Sequence, residues 1–526
     1  MRFAPLRAGL KPAAALPLIL GVLAAAPARA QDEPRSPESD LAAAFAIERA
    51  LVKIIDDAES SIVSIARYKP DRGTALLRPD PFDLRDRRAR SLQRMDGPGD
   101  PAFVPNEFGA GIIIAPRGAE AERFILTNYH VVEGGPVVGR AAESDGSELY
   151  VRLANRRGFH ARILAADPRS DLAVLKIDYS ALKLKPADLE PLPLARNYDF
   201  RKGRLVFALG NPYAIARDGS ASVSWGLISN VSRHPAPPGT TLSGSDEGEE
   251  TIHHFGTLLQ VDTRLNLGTS GGALLNLKGE LIGITTSLAA LEGYEKSVGY
   301  AIPVDDATRR AIDELSQGYE VEYGFLGVGL KPLLPDEIDS LISRFGQSSA
   351  AKVDVVFENS PAHKAGLQKN DWILAVNATP VLSPEDLMRE IGRLGPEHLA
   401  RLRVWRDLPL RELTLTARLG KWPVSDPQEI IATRTRYQPW RGLSVDYPTA
   451  RERYVDTFHY PEAVVITHVA PDSPAARAEL REGQFITHVG KEPVRTPAEF
   501  ERATARTRGV VTLQLDDDTR IELPEG

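Results

Sequence analysis

Between residues 109 and 303 the chain offers only short β-branched runs, at 112–115, 124–127, 172–177, 205–209, 222–229 and 281–286, separated by stretches rich in Gly, Asn, Asp and Pro. Runs this short cannot supply helices long enough to bury a core. They pair as strands instead, and many short strands without long helices close into barrels or stack as sandwiches. The middle of the chain is therefore read as all-β.

The flanks follow other periods. Leu41, Ala44, Ile47, Leu51, Ile54 and Ile55 are spaced for a helix over 39–57, and Ser61-Ile62-Val63-Ser64-Ile65 then reads as a strand. Residues 69–105 turn rich in Pro, Gly, Arg and Asp and are read as a mobile loop insertion, whose interleaved charges mark a solvated surface rather than a recognition patch. Residues 233–250 carry Pro235, Pro237, Pro238 and Gly239 before an acidic run, which predicts a second exposed loop. His253 and His254 follow. A neighbouring pair hints at metal, but no third ligand has suitable spacing, so both are assigned structural or solvent-facing roles.

The C-terminal part repeats itself, with Pro361 and Pro474 in equivalent places 113 residues apart. Asn359-Ser360-Pro361-Ala362 recurs as Asp472-Ser473-Pro474-Ala475, and Ala375-Val376-Asn377-Ala378-Thr379-Pro380-Val381 as His488-Val489-Gly490-Lys491-Glu492-Pro493-Val494. The copies differ where Gly366 becomes Glu479 and Asp371 becomes Gln484, so the second copy binds differently or not at all. A chain of 526 residues exceeds one core of ordinary size, and a β-rich unit followed by two repeats accounts for it.

Arg2, Arg7 and Lys11 precede an apolar stretch over 12–26 and then Ala28-Arg29-Ala30, the pattern of a secretory signal with an A-x-A cleavage site. The mature chain is expected to begin at Gln31; an uncleaved anchor is the alternative, although the stretch is short for a membrane span. Without a single cysteine, neither disulfides nor a lipid-modified N-terminal cysteine is possible despite secretion. A net charge of −7 offers no general attraction to nucleic acid or acidic membrane, which leaves peptides and proteins as the fitting partners.

The chemistry is concentrated in three short motifs. Gly268-Thr269-Ser270-Gly271-Gly272 lies between Leu259-Gln260-Val261-Asp262 and Ala273-Leu274-Leu275-Asn276, giving strand, turn, strand rather than the strand-to-helix elbow of α/β-hydrolases. It completes a His, Asp, Ser order begun by Thr127-Asn128-Tyr129-His130 and Ser170-Asp171-Leu172-Ala173. A serine hydroxyl is a weak nucleophile at neutral pH, so it needs an imidazole to take its proton and a carboxylate to fix that imidazole's tautomer. His130, Asp171 and Ser270 supply the three. The small residues around Ser270 let the backbone N–H groups of Gly268 and Ser270 face a developing oxyanion. Any one motif alone would read as an ordinary turn or a structural histidine; their joint order carries the assignment.

These motifs, with Gly109-Ala110-Gly111-Ile112-Ile113-Ile114, Ala208-Leu209-Gly210-Asn211-Pro212 and Gly299-Tyr300-Ala301-Ile302-Pro303, resemble the HtrA (Deg) family of trypsin-like serine proteases with PDZ domains. The resemblance runs from about residue 60 to the C-terminus. It implies a mainly β chain: a chymotrypsin-like double β-barrel over 59–318, then PDZ (α+β) domains over 323–420 and, in degenerate form, 436–526, with a signal peptide over 1–30 and a helical segment over 31–58 in front. Leu265 is implied to line a pocket for small apolar side chains. Phe325, Leu326, Gly327 and Val328 are implied to form a loop that holds a peptide C-terminus, with Arg441, Gly442 and Leu443 as the second copy's counterpart.

The resemblance further implies ATP-independent cleavage of misfolded proteins in the periplasm, a homotrimer or larger assembly, and no cofactor, metal or nucleic acid. Extracellular release, a non-proteolytic chaperone or scaffold, and a protease making a single regulatory cut are the alternatives. Thr269, where the family usually carries Asn, and Leu267, where a basic residue or Pro is common, depart from its pattern and bear on loop geometry rather than on a catalytic atom.

Overall fold

The computed structural model describes residues 37–69, 105, 107–118, 121–140, 146–211, 220–233, 252–265, 268–286, 299–407, 409–424, 430–450 and 460–525. The expected signal peptide over 1–30, Leu267 and, apart from residues 69, 105 and 233, the insertions over 69–105 and 233–250 lie outside the described residues. Two compact units divide the chain, Met1–Val52 and Lys53–Gly526. Helix Pro37–Glu59 spans that division and extends the expected helix by two residues at each end.

Within the larger unit, six antiparallel strands close a first barrel: Ile62–Tyr68, Glu107–Ile114, Phe124–Thr127, Leu172–Lys176, Gly158–Asp167 and Glu148–Leu153, which returns to Ile62–Tyr68. Alternation in Glu148–Leu153 turns Leu149, Val151 and Leu153 inward, where they meet Val63, Ile65, Ile113, Ile125, Ile163 and Leu175. A second barrel closes through Leu205–Gly210, Ser222–Arg233, Leu258–Val261, Gly299–Pro303, Leu281–Thr286 and Ala273–Leu275. Its core is Val206, Ala208, Ile228, Leu259, Val261, Leu274, Ile282 and Ala301.

Each repeat is an antiparallel sheet closed by helices. The first sheet runs Val328–Lys331, Ala351–Val356, Trp372–Val376, Leu399–Asp407 and Leu410–Arg418, and helix Pro384–Leu394 buries Leu387 and Ile391 against it. The second runs Leu443–Asp446, Val464–Val469, Phe485–Val489, Val511–Leu515 and Arg520–Leu523, with Phe500 of helix Pro497–Thr504 in its core. The repeated Ser-Pro-Ala now has a physical cause. Ser360 and Ser473 accept the N–H of His363 and Ala476 at 3.1 Å each, capping short helices whose first residue is proline.

The altered position 371 has one too. In the first repeat Asp371 is buried, forms a two-point pair with Arg406 at 2.7 Å, and accepts the Gln368 N–H at 2.8 Å. In the second, Gln484 accepts the equivalent Arg481 N–H at 2.8 Å through a neutral amide.

One short strand escaped sequence reasoning. Ile431–Ala432, between the expected repeats, adds a strand to the first barrel, pairing with Ala166 and Ala165. Thr433 Oγ1 donates to Leu164 O at 2.8 Å beside it. A two-residue strand carries no readable alternation, and its position is set by the strand edge it covers.

Candidate active site

The three predicted residues reach the site from both barrels. His130 stands on the short helix Tyr129–Val132 that follows strand Phe124–Thr127, and Asp171 closes the 3-10 turn Pro168–Ser170 ahead of Leu172–Lys176. Ser270 lies in the turn between strands Leu258–Val261 and Ala273–Leu275 of the second barrel. The barrels are tied at this point, where Ser270 O accepts the Ala110 N–H at 2.8 Å; within the first barrel Thr127 Oγ1 donates to Ala110 O at 2.7 Å.

Both carboxylate oxygens of Asp171 face His130 Nδ1, at 2.9 and 3.0 Å. Oδ1 also accepts the His130 N–H at 3.1 Å, and Oδ2 accepts the Thr286 hydroxyl at 3.1 Å. The carbonyl of Asp171 takes Asn128 Nδ2 at 3.0 Å and the Tyr129 N–H at 3.1 Å, so the residue is bound at its main chain and at both side-chain oxygens. Its φ of 51° is left-handed, a conformation that Asp adopts more readily than most side chains and that the surrounding bonds hold here. Burial alone would push the His130 pKa down. The charge and hydrogen bond of Asp171 outweigh burial, with Glu107 and Glu133 adding to the pull, so the imidazole stands above its ordinary value.

Around Ser270 the turn depends on glycine. Gly268 has φ 92° and Gly271 φ 82°, and a Cβ on Gly271 would sit 2.1 Å from Ala110 O. Gly271 N donates to Thr285 O and Gly272 N to Thr269 O, each at 2.9 Å, while the Thr285 hydroxyl donates to Thr269 O at 2.5 Å. Thr269 is thus held at its carbonyl. Leu265 lines a cavity of ≈ 170 Å³ with Leu209, Gly210, Ser224 and Thr269.

Sequence reasoning missed the groups that support the acid turn. Arg169 is buried, with Nε on Asp167 Oδ1 at 2.8 Å and Nη2 on Val321 O at 2.6 Å. Asp167 Oδ2 accepts the Ser170 hydroxyl at 2.9 Å and the Tyr323 hydroxyl at 2.6 Å. Burial and the Asp167 charge hold the Tyr323 phenol well above its usual range, so it remains a donor. His253, assigned no specific function from sequence, is buried with Nε2 3.0 Å from Ser170 O. The Asp167-Pro168-Arg169-Ser170-Asp171 string was visible; its partners, many residues away in sequence, were not.

The two loops expected to hold peptide differ. In the first repeat Leu326 O accepts the Ala362 N–H at 2.9 Å, and Gly327 O accepts the Phe357 N–H and the Ser360 hydroxyl. In the second, Arg441 and Gly442 carbonyls make the corresponding bonds to Ala475 and Ala470. Trp440 and Leu443, however, exchange both backbone bonds at 2.9 Å, and the Trp440 ring packs edge-on against Phe500. Leu443 N–H is therefore already engaged by Trp440 O. No such bridge joins the counterparts Phe325 and Val328 among the described residues.

Two six-stranded barrels, a His–Asp pair from one and a glycine-flanked serine from the other define a trypsin-like serine peptidase, and the two repeats that follow are PDZ domains. Family comparison agrees: the trypsin-like peptidase domain matches residues 109–284, and the PDZ domain matches 352–406 and again 465–516. A probable periplasmic serine endoprotease DegP-like of Pseudomonas fluorescens is 30% identical over 460 residues, covering 85% of this chain and 86% of that protein. A protein of the same name from Brucella suis biovar 1 is 29% identical over 423 residues, 79% of this chain and 73% of its own. Among solved structures, an HtrA-type protease AlgW with tripeptide aligns with TM-score 0.46 and 25% identity over 72% of this chain and 98% of its own. The chain belongs to the DegP-like, HtrA-type family of serine endoproteases and is a serine endopeptidase.

Proposed function

We propose that Ser270 is the nucleophile, His130 the general base and acid, and Asp171 the carboxylate that orients and stabilises the imidazolium. With Nδ1–H donated to Asp171, the lone pair of the neutral ring is on Nε2, ready to take the Ser270 proton as Oγ attacks a peptide carbonyl. The negative charge on the carbonyl oxygen is received by the N–H groups of Gly268 and Ser270. His130 passes its proton to the leaving amine as the C–N bond breaks, and water releases the acyl group by the same steps. The observation that supports this reading is the two-point contact of Asp171 with His130, braced by Thr286.

The substrates are unfolded or misfolded proteins of the cell envelope, cleaved after small apolar residues that Leu265 helps to select. Relatives are named periplasmic, and no helix among the described residues is long and apolar enough to cross a membrane. The leader over 1–30 takes the chain to that compartment. The domains are 59–318 for the peptidase, 323–420 for the first PDZ repeat and 436–526 for the second, and the working form is a homotrimer or larger. Phe325, Leu326, Gly327 and Val328 receive peptide C-termini; the closed Trp440–Leu443 turn supports a second repeat that does not use Arg441, Gly442 and Leu443 in that way.

Incubating residues 31–526 with casein, beside Ser270→Ala, tests the reading. Fragments are expected from the parent protein alone. Equal fragmentation by the variant would remove Ser270 from the reaction, and intact casein with both, its aggregation still suppressed, would favour a chaperone.

A further inference from the structure

The peptide bond that leads into Asp171 is held from the other barrel. Ser170 O accepts from His253 Nε2 at 3.0 Å, across 83 residues, and His253 Nδ1 lies 2.6 Å from Thr257 Oγ1. A carbonyl can only accept, so Nε2 carries the hydrogen, and the ring's other nitrogen takes the Thr257 hydroxyl. Thr257 thereby fixes the tautomer that reaches Ser170.

Asp171 is left-handed at φ 51°, and rotating the preceding peptide plane would relieve it. Such a rotation would also swing the carboxylate out of its two-point contact with His130 Nδ1. Asp171 N–H is bonded to Pro168 O at 3.1 Å, inside the same turn, so it moves with the turn rather than fixing it. His253 belongs to a different barrel. Its own turn, Ile252–Phe255, is fixed in place by Arg389, whose Nη1 donates to Phe255 O at 3.1 Å and Gly256 O at 3.3 Å, and by the Phe255 ring against Trp422 at 5.4 Å.

We infer that His253 is a positioning residue for proteolysis, holding the Ser170–Asp171 peptide so that the carboxylate keeps both contacts with His130. The inference rests on the reading of Asp171 as the orienting carboxylate. It also assigns a role to a histidine that neither the metal idea nor a solvent-facing role explains.

The test uses the full mature chain and a fluorogenic peptide, comparing His253→Leu, which keeps the volume without a donor, with His253→Gln, whose amide N–H can reach the same carbonyl. His253→Leu should lower kcat about 10- to 100-fold, the usual cost of one oriented hydrogen bond in a reacting assembly, with KM within about twofold. The acid limb of its kcat/KM profile should move to lower pH, because a displaced carboxylate no longer raises the His130 pKa. His253→Gln should return both towards the parent. If His253→Leu does not fold, Thr257→Val, which removes the tautomer-fixing hydroxyl, should show a smaller change of the same kind.

Parent-like kcat in His253→Leu, or equal impairment of Leu and Gln variants with an unmoved acid limb, would overturn the inference. Asp171→Asn in parallel separates the two levels. Parent-like activity there would sink the triad reading itself, whereas a crippled Asp171→Asn beside an unaffected His253→Leu would sink the role of His253 alone.

Discussion

Replacing Asp171 by Asn preserves shape and removes charge, and the geometry says which oxygen matters. Oδ1 accepts twice from His130, through Nδ1 at 2.9 Å and the backbone N–H at 3.1 Å, whereas Oδ2 faces Nδ1 at 3.0 Å and the Thr286 hydroxyl at 3.1 Å. An NH₂ group cannot accept, and a hydroxyl can turn to do so. The amide nitrogen should therefore settle at the Oδ2 position, donating to Thr286, while the oxygen keeps both His130 bonds. In that orientation the correct tautomer survives on the Oδ1 contact, while the charge opposite the imidazolium is lost and the Oδ2 contact with Nδ1 becomes a donor facing a donor at 3.0 Å. The flipped orientation would also force the wrong tautomer, for which losses near 10⁴-fold in kcat are typical. The structure therefore predicts a loss between about 10² and 10⁴, or about 3–5 kcal/mol of transition-state stabilisation. The acid limb of kcat/KM should fall as well: activity needs neutral His130, Asp171 raises its pKa, and without that charge the ring stays neutral to lower pH. Initial rates on a fluorogenic peptide across pH 5 to 9, with Thr286→Val as a one-bond control losing about 10-fold, provide the measurement. A parent-like rate with an unmoved limb in Asp171→Asn would refute the reasoning.

Two further outcomes follow from packing. Gly271→Ala combines a left-handed φ with a Cβ 2.1 Å from Ala110 O, so it should cost about 2–5 kcal/mol and nearly abolish phosphonylation of Ser270 by a fluorophosphonate, in which Oγ displaces fluoride from phosphorus and which gel labelling would read. Asp371→Ala leaves the Arg406 guanidinium buried without its carboxylate and should cost the first repeat about 3–5 kcal/mol, seen as lost hydrogen-exchange protection in Trp372–Val376 of the full chain. Adding Arg406→Met should recover most of that protection.

The barrels were legible because each strand is a local run whose apolar face is set by neighbours two residues apart, as in Glu148–Leu153. The repeats were legible through their caps, since Ser360 and Ser473 act within one helical turn. The order and spacing of His130, Asp171 and Ser270 were legible, whereas the contact of Asp171 with His130 was not. What stayed hidden was long-range pairing without periodicity: the Ile431–Ala432 strand, the Arg169–Val321 bond and the reach of His253 to Ser170. The helix Pro335–Phe345 was also missed, although Ile338, Leu341 and Phe345 pack from it into an apolar cluster at helical spacing.

The acid and the serine are fixed by opposite means. At the acid turn the fold buries Asp167, Arg169, Ser170, Asp171 and His253, and polar groups out of water must find partners or cost free energy. Each partner found there removes a direction in which the turn could move, so Asp171 is held left-handed by the need to satisfy its neighbours. At Ser270 the opposite holds. Gly268, Gly271 and Gly272 carry no side chain, and the turn follows the space left by Ala110, Asn211, Leu209 and Thr127. A substitution at the acid should therefore act through an unsatisfied group, and be partly rescued by any residue restoring the lost donor or acceptor. A substitution at the glycines acts through volume, and no polar replacement can rescue it.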